Sequence, residues 1–202
     1  YDGVDLTEGR MRVAEADLRF FDEMGYLVIK RAVPRATCRR VTEEMFAHTG
    51  MDEADATTWH EYRCEGITRF GSEKGGAGQG GGGGGTMLNM WTTQGMWDLR
   101  TSPRIHRAMS QLWDTHKLWC SIDTCDLKPP AAEAFPGWGG ALGLHCDLPP
   151  EFLRGAAARR DRRIQGQVSL ADTTDRGGGF RCIPGFMPPH FDESPNSRRA
   201  RG

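Results

Sequence analysis

His145, Cys146 and Asp147 set an imidazole and a carboxylate two positions apart. On a β-strand, positions i and i+2 leave the same face, so both side chains can reach one metal ion. Joined by a second histidine, they would form the two-histidine, one-carboxylate set that suits Fe(II). That set blocks one face of an octahedron and leaves three positions open for other ligands. The spacing by itself is a weak signal, because six histidines and fifteen aspartates in 202 residues yield about 0.4 such matches by chance placement. A second copy, His190-Phe191-Asp192, follows Pro188-Pro189 and leads into an Arg-rich tail without strand character. We read that copy as surface, since nothing rigid would hold its side chains.

The elements needed to aim the first copy are short strands. Gly143–Asp147 reads as one, ended by Pro149-Pro150; Leu118–Ile122 reads as another, ending near Pro129-Pro130. Ile164–Ala171 alternates, with Gln165, Gln167 and Ser169 on one face and Ile164, Val168 and Leu170 on the other. Gly179–Ile183 is a fourth strand, stopped by Pro184-Gly185. Short strands with Gly/Pro turns argue for a sandwich or jelly roll. The polar face of Ile164–Ala171 has two readings, the inside of a barrel that holds a charged ligand or a face that meets water, and alternation does not decide between them.

Ahead of the strands lies a largely helical region. Ala16–Met24 forms a helix with Asp17 as N-cap and Gly25 as its stop. Tyr26–Ile29 is a strand that runs toward Pro34, and Thr37–His48 has helical spacing through Cys38, Val41, Met45 and Phe46. Ser102-Pro103 opens a further helix whose stripe of Ile105, Met109, Leu112 and Trp113 is core. His106 and His116 fall in or just beyond it and read as ordinary histidines rather than ligands. From Gly75 to Gly85 nine of eleven residues are glycine, a flexible insertion. A phosphate cradle there would need a strand before it and a helix after it, and neither is visible. Trp59, Trp91, Trp97 and Trp138 either fill core or line an apolar pocket.

The length fits one domain. Within it, 17–115 is the helical and strand region with its glycine insertion at 75–85, 116–186 the β region, and 187–202 a polar tail. A net charge of −1 gives no field to steer the chain to nucleic acid, and charged residues interrupt every apolar run before it could span a membrane. The expected partner is a small molecule or another protein. Six cysteines, at 38, 64, 120, 125, 146 and 182, show no C-x-x-C pair, so reduced thiols in a soluble, intracellular protein are expected. The chain opens at Tyr1, which leaves localisation otherwise unassigned.

Five segments taken in order, FFDEMGYLVIKRAVP, WDLRTSPRIHRAMSQLW, LWCSIDTCDLKPP, GLHCDLPP and QGQVSLADTTDRGGGFRCIPGF, resemble the phytanoyl-CoA dioxygenase family. The similarity spans most of the chain outside the glycine insertion and is greatest to the microbial and algal branch. It implies an α+β fold, mainly β with flanking helices, built on a double-stranded β-helix (jelly roll, cupin-like). It implies His145 and Asp147 as the first two Fe(II) ligands, with 2-oxoglutarate as cosubstrate and O2 as oxidant. It also sets Lys128 and Gln167 near cosubstrate contacts, beside the plain readings of a solvated lysine next to Pro129 and a cross-strand hydrogen bond.

The pattern departs from that family after Phe186. The resemblance calls for a third, histidine ligand and an arginine for the far carboxylate of 2-oxoglutarate, both downstream of Ile183-Pro184-Gly185-Phe186. This chain supplies only His190, Arg198, Arg199 and Arg201 there, and Met187 stands where relatives often carry histidine. The jelly roll is thus expected to be incomplete at the C-terminus, with open edges that would aggregate or borrow strands from another chain, unless the sequence is a truncated part of a longer protein; the sequence does not choose among these. Two functions follow: a dioxygenase hydroxylating a small organic substrate, or an inactive oxygenase-derived scaffold or subunit that binds another protein.

Overall fold

The computed structural model describes residues 3–6, 12–60, 67–70, 85–130, 144–145, 164–175 and 177–186. Two apolar cores organise them. The first gathers Val4, Leu6, Val13, Leu18, Ala108 and Leu112, with Phe21, Leu27, Ile29, Met109 and Ile164 packed against them. The second gathers Val41, Met45, Leu88, Met90, Met96 and Cys125, flanked by Phe46, Leu99, Leu127 and Leu170.

Strand β1 (Val4–Asp5) pairs in parallel with β2 (Ile29–Lys30), Val4 opposite Ile29. Between them helix α1 (Glu15–Met24) starts two residues earlier than its expected cap, Asp17. Asp17 instead lies in the first turn, where its charge favours the helix dipole, and the N-cap position belongs to Ala14. The stop is as expected: Gly25 takes a left-handed conformation and donates its N–H to the Phe21 carbonyl. The expected strand over Tyr26–Ile29 shrinks to β2, because β1 offers only two residues to pair with.

Helix α2 (Arg35–Thr49) follows Pro34 and ends at Gly50, which is again left-handed. It buries Val41, Met45 and Thr49. Thr49 satisfies its buried hydroxyl by donating to the Met45 carbonyl at 2.9 Å. A 3-10 turn, Ala56–His60, comes next. Strands β3 (Ile67–Phe70) and β4 (Gly85–Leu88) then pair antiparallel, Ile67 opposite Leu88 and Phe70 opposite Gly85. The glycine-rich stretch therefore connects two paired strands, and its last residue, Gly85, belongs to β4. A strand flanks it on each side and no helix follows directly, which removes the phosphate-cradle reading. The rest of the stretch lies outside the described residues.

Helix α3 (Gln94–Arg100) presses onto α2. The Gly95 N–H donates to both Glu44 carboxylate oxygens, at 2.9 and 3.0 Å, and Arg40 pairs with Asp98 at 2.7 Å. Glycine is required at this contact, since a Cβ would stand 2.6 Å from Glu44 Oε2 and 2.9 Å from Val41 Cγ2. Helix α4 (Pro103–Trp113) begins as expected with proline in its first turn. Its buried residues are Ala108, Ser110 and Leu112, so the inward face is turned somewhat from the expected stripe, leaving Ile105, Met109 and Trp113 only partly buried. Gln111 on this helix accepts the Val13 N–H at 2.8 Å and donates to the Val13 carbonyl, replacing a strand neighbour across 98 residues of sequence.

The largest departures from expectation concern the later strands. The expected strand over Leu118–Ile122 has no ladder; the strand forms further on as β5 (Cys125–Leu127), antiparallel to β4 with Leu88 opposite Cys125. Since β4 stops at Leu88, the residues before Cys125 have nothing in that sheet to pair with. Ile164–Ala171 and Gly179–Ile183 are likewise not in ladders. Ile164, Val168 and Leu170 are partly buried while Gln165, Gln167 and Ser169 are exposed, so the polar face of that segment meets water. Among the described residues the sheets are of two strands, β1-β2, and three, β3-β4-β5, and neither closes into a barrel. The tail beyond Phe186 lies outside the described residues. No helix among the described residues is long and apolar enough to cross a membrane.

Leu88, fully buried in the central strand, is the side chain on which the second core closes. Leu88→Ala should cost about 2–5 kcal/mol in urea unfolding. Gly95→Ala should cost about 1–3 kcal/mol through overpacking against Val41. Variants within about 0.5 kcal/mol of the parent would contradict the packing described.

Candidate functional site

Strand β5 positions the best-defined group of candidate residues. Cys125 is buried and Leu127 partly so, while Asp126 and, just past the strand, Lys128 are exposed, as the period of two requires. Lys128 passes beside a run of three glycines. A Cβ on Gly178, which holds a left-handed φ of 73°, would stand 3.7 Å from Lys128 Cδ. The structure thus sets the lysine stem beside Gly178.

The charges here are tuned by their surroundings. Although the residue is exposed overall, partial desolvation of its carboxyl holds Asp126 above the usual aspartate range, Lys128 draws it back down, and the Asp123 charge raises it. Burial, with a smaller contribution from Asp126, pushes the Cys125 thiol up to about 11, so it is a protonated core residue and not a nucleophile.

His145 is exposed and in no regular element, as is its neighbour Leu144. Asp147 and Cys146 lie outside the described residues, as does the second copy at 190–192, so the expected pairing of His145 with Asp147 on one strand face is not described. Gln167 is exposed on an unpaired segment, away from any cross-strand partner of the kind its spacing suggested. His106 and His116 are exposed, in keeping with their ordinary reading. Trp97 is partly buried and stacks under Arg100, whose guanidinium carbon lies 5.4 Å from the ring centre, while Trp91 is exposed. Trp59 donates its indole N–H to the Asp52 carbonyl and packs on Phe46. Trp138 lies outside the described residues.

Imidazole and carboxylate are suitable donors for Fe(II). Among the described residues, however, no group of three or more His, Cys, Asp or Glu is placed to hold a metal ion. Of the expected donors only His145 is among the described residues, and those residues do not assemble a facial triad.

Sequence reasoning passed over Asp126. Its signal was present, an acidic residue two positions from Lys128 in a β-prone stretch, the same i, i+2 relation that drew attention to His145.

The raised Asp126 carboxyl has a defined consequence for pH dependence. Its proton is held more tightly in the folded chain than in the unfolded one, so its ionisation costs stability. That cost is absent below the unfolded value and fully present above the folded value. Asp126→Asn should therefore gain on the parent in thermal melts as the pH rises out of the ordinary aspartate range, and a difference independent of pH would exclude the effect. Native-state alkylation followed by peptide mass mapping should modify exposed Cys120 and Cys182 and spare Cys125 until the chain unfolds. Equal rates at all three would show that the second core does not enclose Cys125.

Among proteins of known identity, the chain is similar to the Ava biosynthesis cluster protein O of Aspergillus versicolor, 23% identical over 172 residues. The similarity covers 82% of this chain and 48% of that protein, so the chain spans about half the relative's length. No family profile and no solved structure matches the chain.

Proposed function

We propose that the chain carries part of an Fe(II)- and 2-oxoglutarate-dependent dioxygenase site of the phytanoyl-CoA dioxygenase kind, acting on an unidentified small organic substrate. The observation that carries this reading is the His145-x-Asp147 pair within the ordered series of segments that resemble that family. A relative named for a biosynthesis cluster fits a small-molecule substrate. So does a near-neutral chain, which has no charge excess to recruit a polyanion.

In this reading His145 and Asp147 would hold the metal through imidazole nitrogen and carboxylate oxygen. Lys128, its stem lying beside Gly178, would offer an ammonium to a cosubstrate carboxylate. Gln167 would offer an amide to the same group. Bound Fe(II) with 2-oxoglutarate and O2 would supply the oxidising power for hydroxylation, while the chain binds and orients.

A second reading, an oxygenase-derived scaffold or subunit, is favoured by a different observation. After Phe186 the sequence offers His190 and three arginines only in a polar, proline-led tail, without strand character to aim them.

The readings separate in one assay. Consumption of 2-oxoglutarate by the 202-residue chain should require added Fe(II) and fall at least about a hundredfold in His145→Ala, with the circular dichroism spectrum unchanged. Undiminished turnover in that variant would remove His145 from the site. Absence of Fe(II)-dependent consumption, together with no calorimetric binding of Mn(II) plus 2-oxoglutarate, would count against a dioxygenase site in these 202 residues and for the scaffold reading.

A further inference from the structure

The stretch from Lys117 to Asp123 is held at both ends and open between them. At its start the Leu118 N–H donates to the His116 carbonyl at 3.1 Å and the Lys117 N–H to the Thr115 hydroxyl at 3.2 Å. At its end the Arg100 guanidinium donates to the Asp123 carbonyl at 2.7 Å. Residues 119–123 are all exposed, Trp119 to 99% and Ile122 to 58%. The stretch leads directly into β5 but overhangs the sheet, because β4 ends at Leu88, opposite Cys125. Its composition is that of a strand: Leu118, Cys120 and Ile122 alternate with Trp119 and Ser121. An exposed, uncharged, β-prone segment with no ladder of its own is a template for strand addition.

The segment is also complementary to itself. We propose that Leu118–Ile122 pairs antiparallel with the same segment of a second copy of this chain, about a two-fold axis at Cys120. In that register Leu118 faces Ile122 of the second copy, Trp119 faces Ser121, and Lys117 faces Asp123, each pair occurring twice by symmetry. The flanking charges select this register. A pairing centred on Lys117 or on Asp123 would bring like charges together, and the pairing centred on Cys120 is the one that joins each lysine to an aspartate. The occupant is thus specified by the sequence it must match, and the pairing stands independently of any metal at His145.

Three readouts on the 202-residue chain test the pairing. Sedimentation velocity should show a concentration-dependent dimer. A short bismaleimide should link it through Cys120, so that Cys120→Ser abolishes the covalent dimer and Cys182→Ser, at another exposed thiol, does not. Lys117→Glu should weaken dimerisation by about tenfold or more, and adding Asp123→Lys to it should restore the parent affinity by exchanging the two charges. A chain that stays monomeric at all concentrations overturns the proposal. So does a dimer that links through Cys182 or Cys38, or one whose affinity is indifferent to Lys117→Glu.

Discussion

The burial of Leu88 between two neighbouring strands is the constraint on which the second half of the molecule rests. β4 is the central strand of its sheet, with β3 on one edge and β5 on the other, and Leu88 is opposite Ile67 and Cys125 at once. Its side chain closes the core made by Val41 and Met45 of α2 and by Met96 of α3. Without it neither the strand order nor the seating of α2 and α3 on the sheet would be determined. Loss of this apolar contact is dear because the cavity it leaves adds to the transfer term.

Polar side chains hold the irregular segments to this frame by bonding backbone that has no ladder. Arg100 donates to the Trp91 and Asp123 carbonyls, tying the approach to α3 to the approach to β5. Gln111 serves the N–H and carbonyl of Val13 in the same way, and the Gly185 N–H reaches the Met24 carbonyl at the end of α1. Each satisfies groups that would otherwise depend on water, and each joins parts of the chain far apart in sequence. The segment 164–186 is held more sparsely, by Ile164 on the first core, Leu170 on the second, Gly178 beside Lys128 and Gly185 at α1.

The elements legible in the sequence were those set by local chemistry. Helices α1 and α2 are bounded by Gly25 and Gly50, and α4 is started by Pro103, because left-handed stops and proline-compatible first turns are properties of a few adjacent residues. Strands β3 and β4 were missed although Ile67–Phe70 is rich in β-formers, since a strand exists only when a partner lies alongside and glycine masked the connection. β5 was placed too early for the same reason: Leu118–Ile122 has the better strand composition, yet Cys125–Leu127 has the partner. For the candidate site, spacing singled out His145 and Asp147 as a pair, and the family resemblance pointed to Lys128. The carboxyl of Asp126 could not be weighted from spacing, because its raised proton affinity comes first from desolvation, which only the fold sets, although the charges acting on it, Lys128 and Asp123, are neighbours in sequence.

Two of the chain crossings that join the two cores are bonded to each other. One runs from β2 to α2 through Arg31, Ala32 and Val33; the other runs from α3 to α4 through Thr101 and Ser102. The Ser102 hydroxyl donates to the Ala32 carbonyl at 2.7 Å, and Arg104 donates to the Arg31 carbonyl at 2.6 Å. Ser102 spends its side chain on this bond and not on capping its own helix. The seam therefore couples the two cores: while it holds, opening of one strains the other, and their amides should share protection against hydrogen exchange.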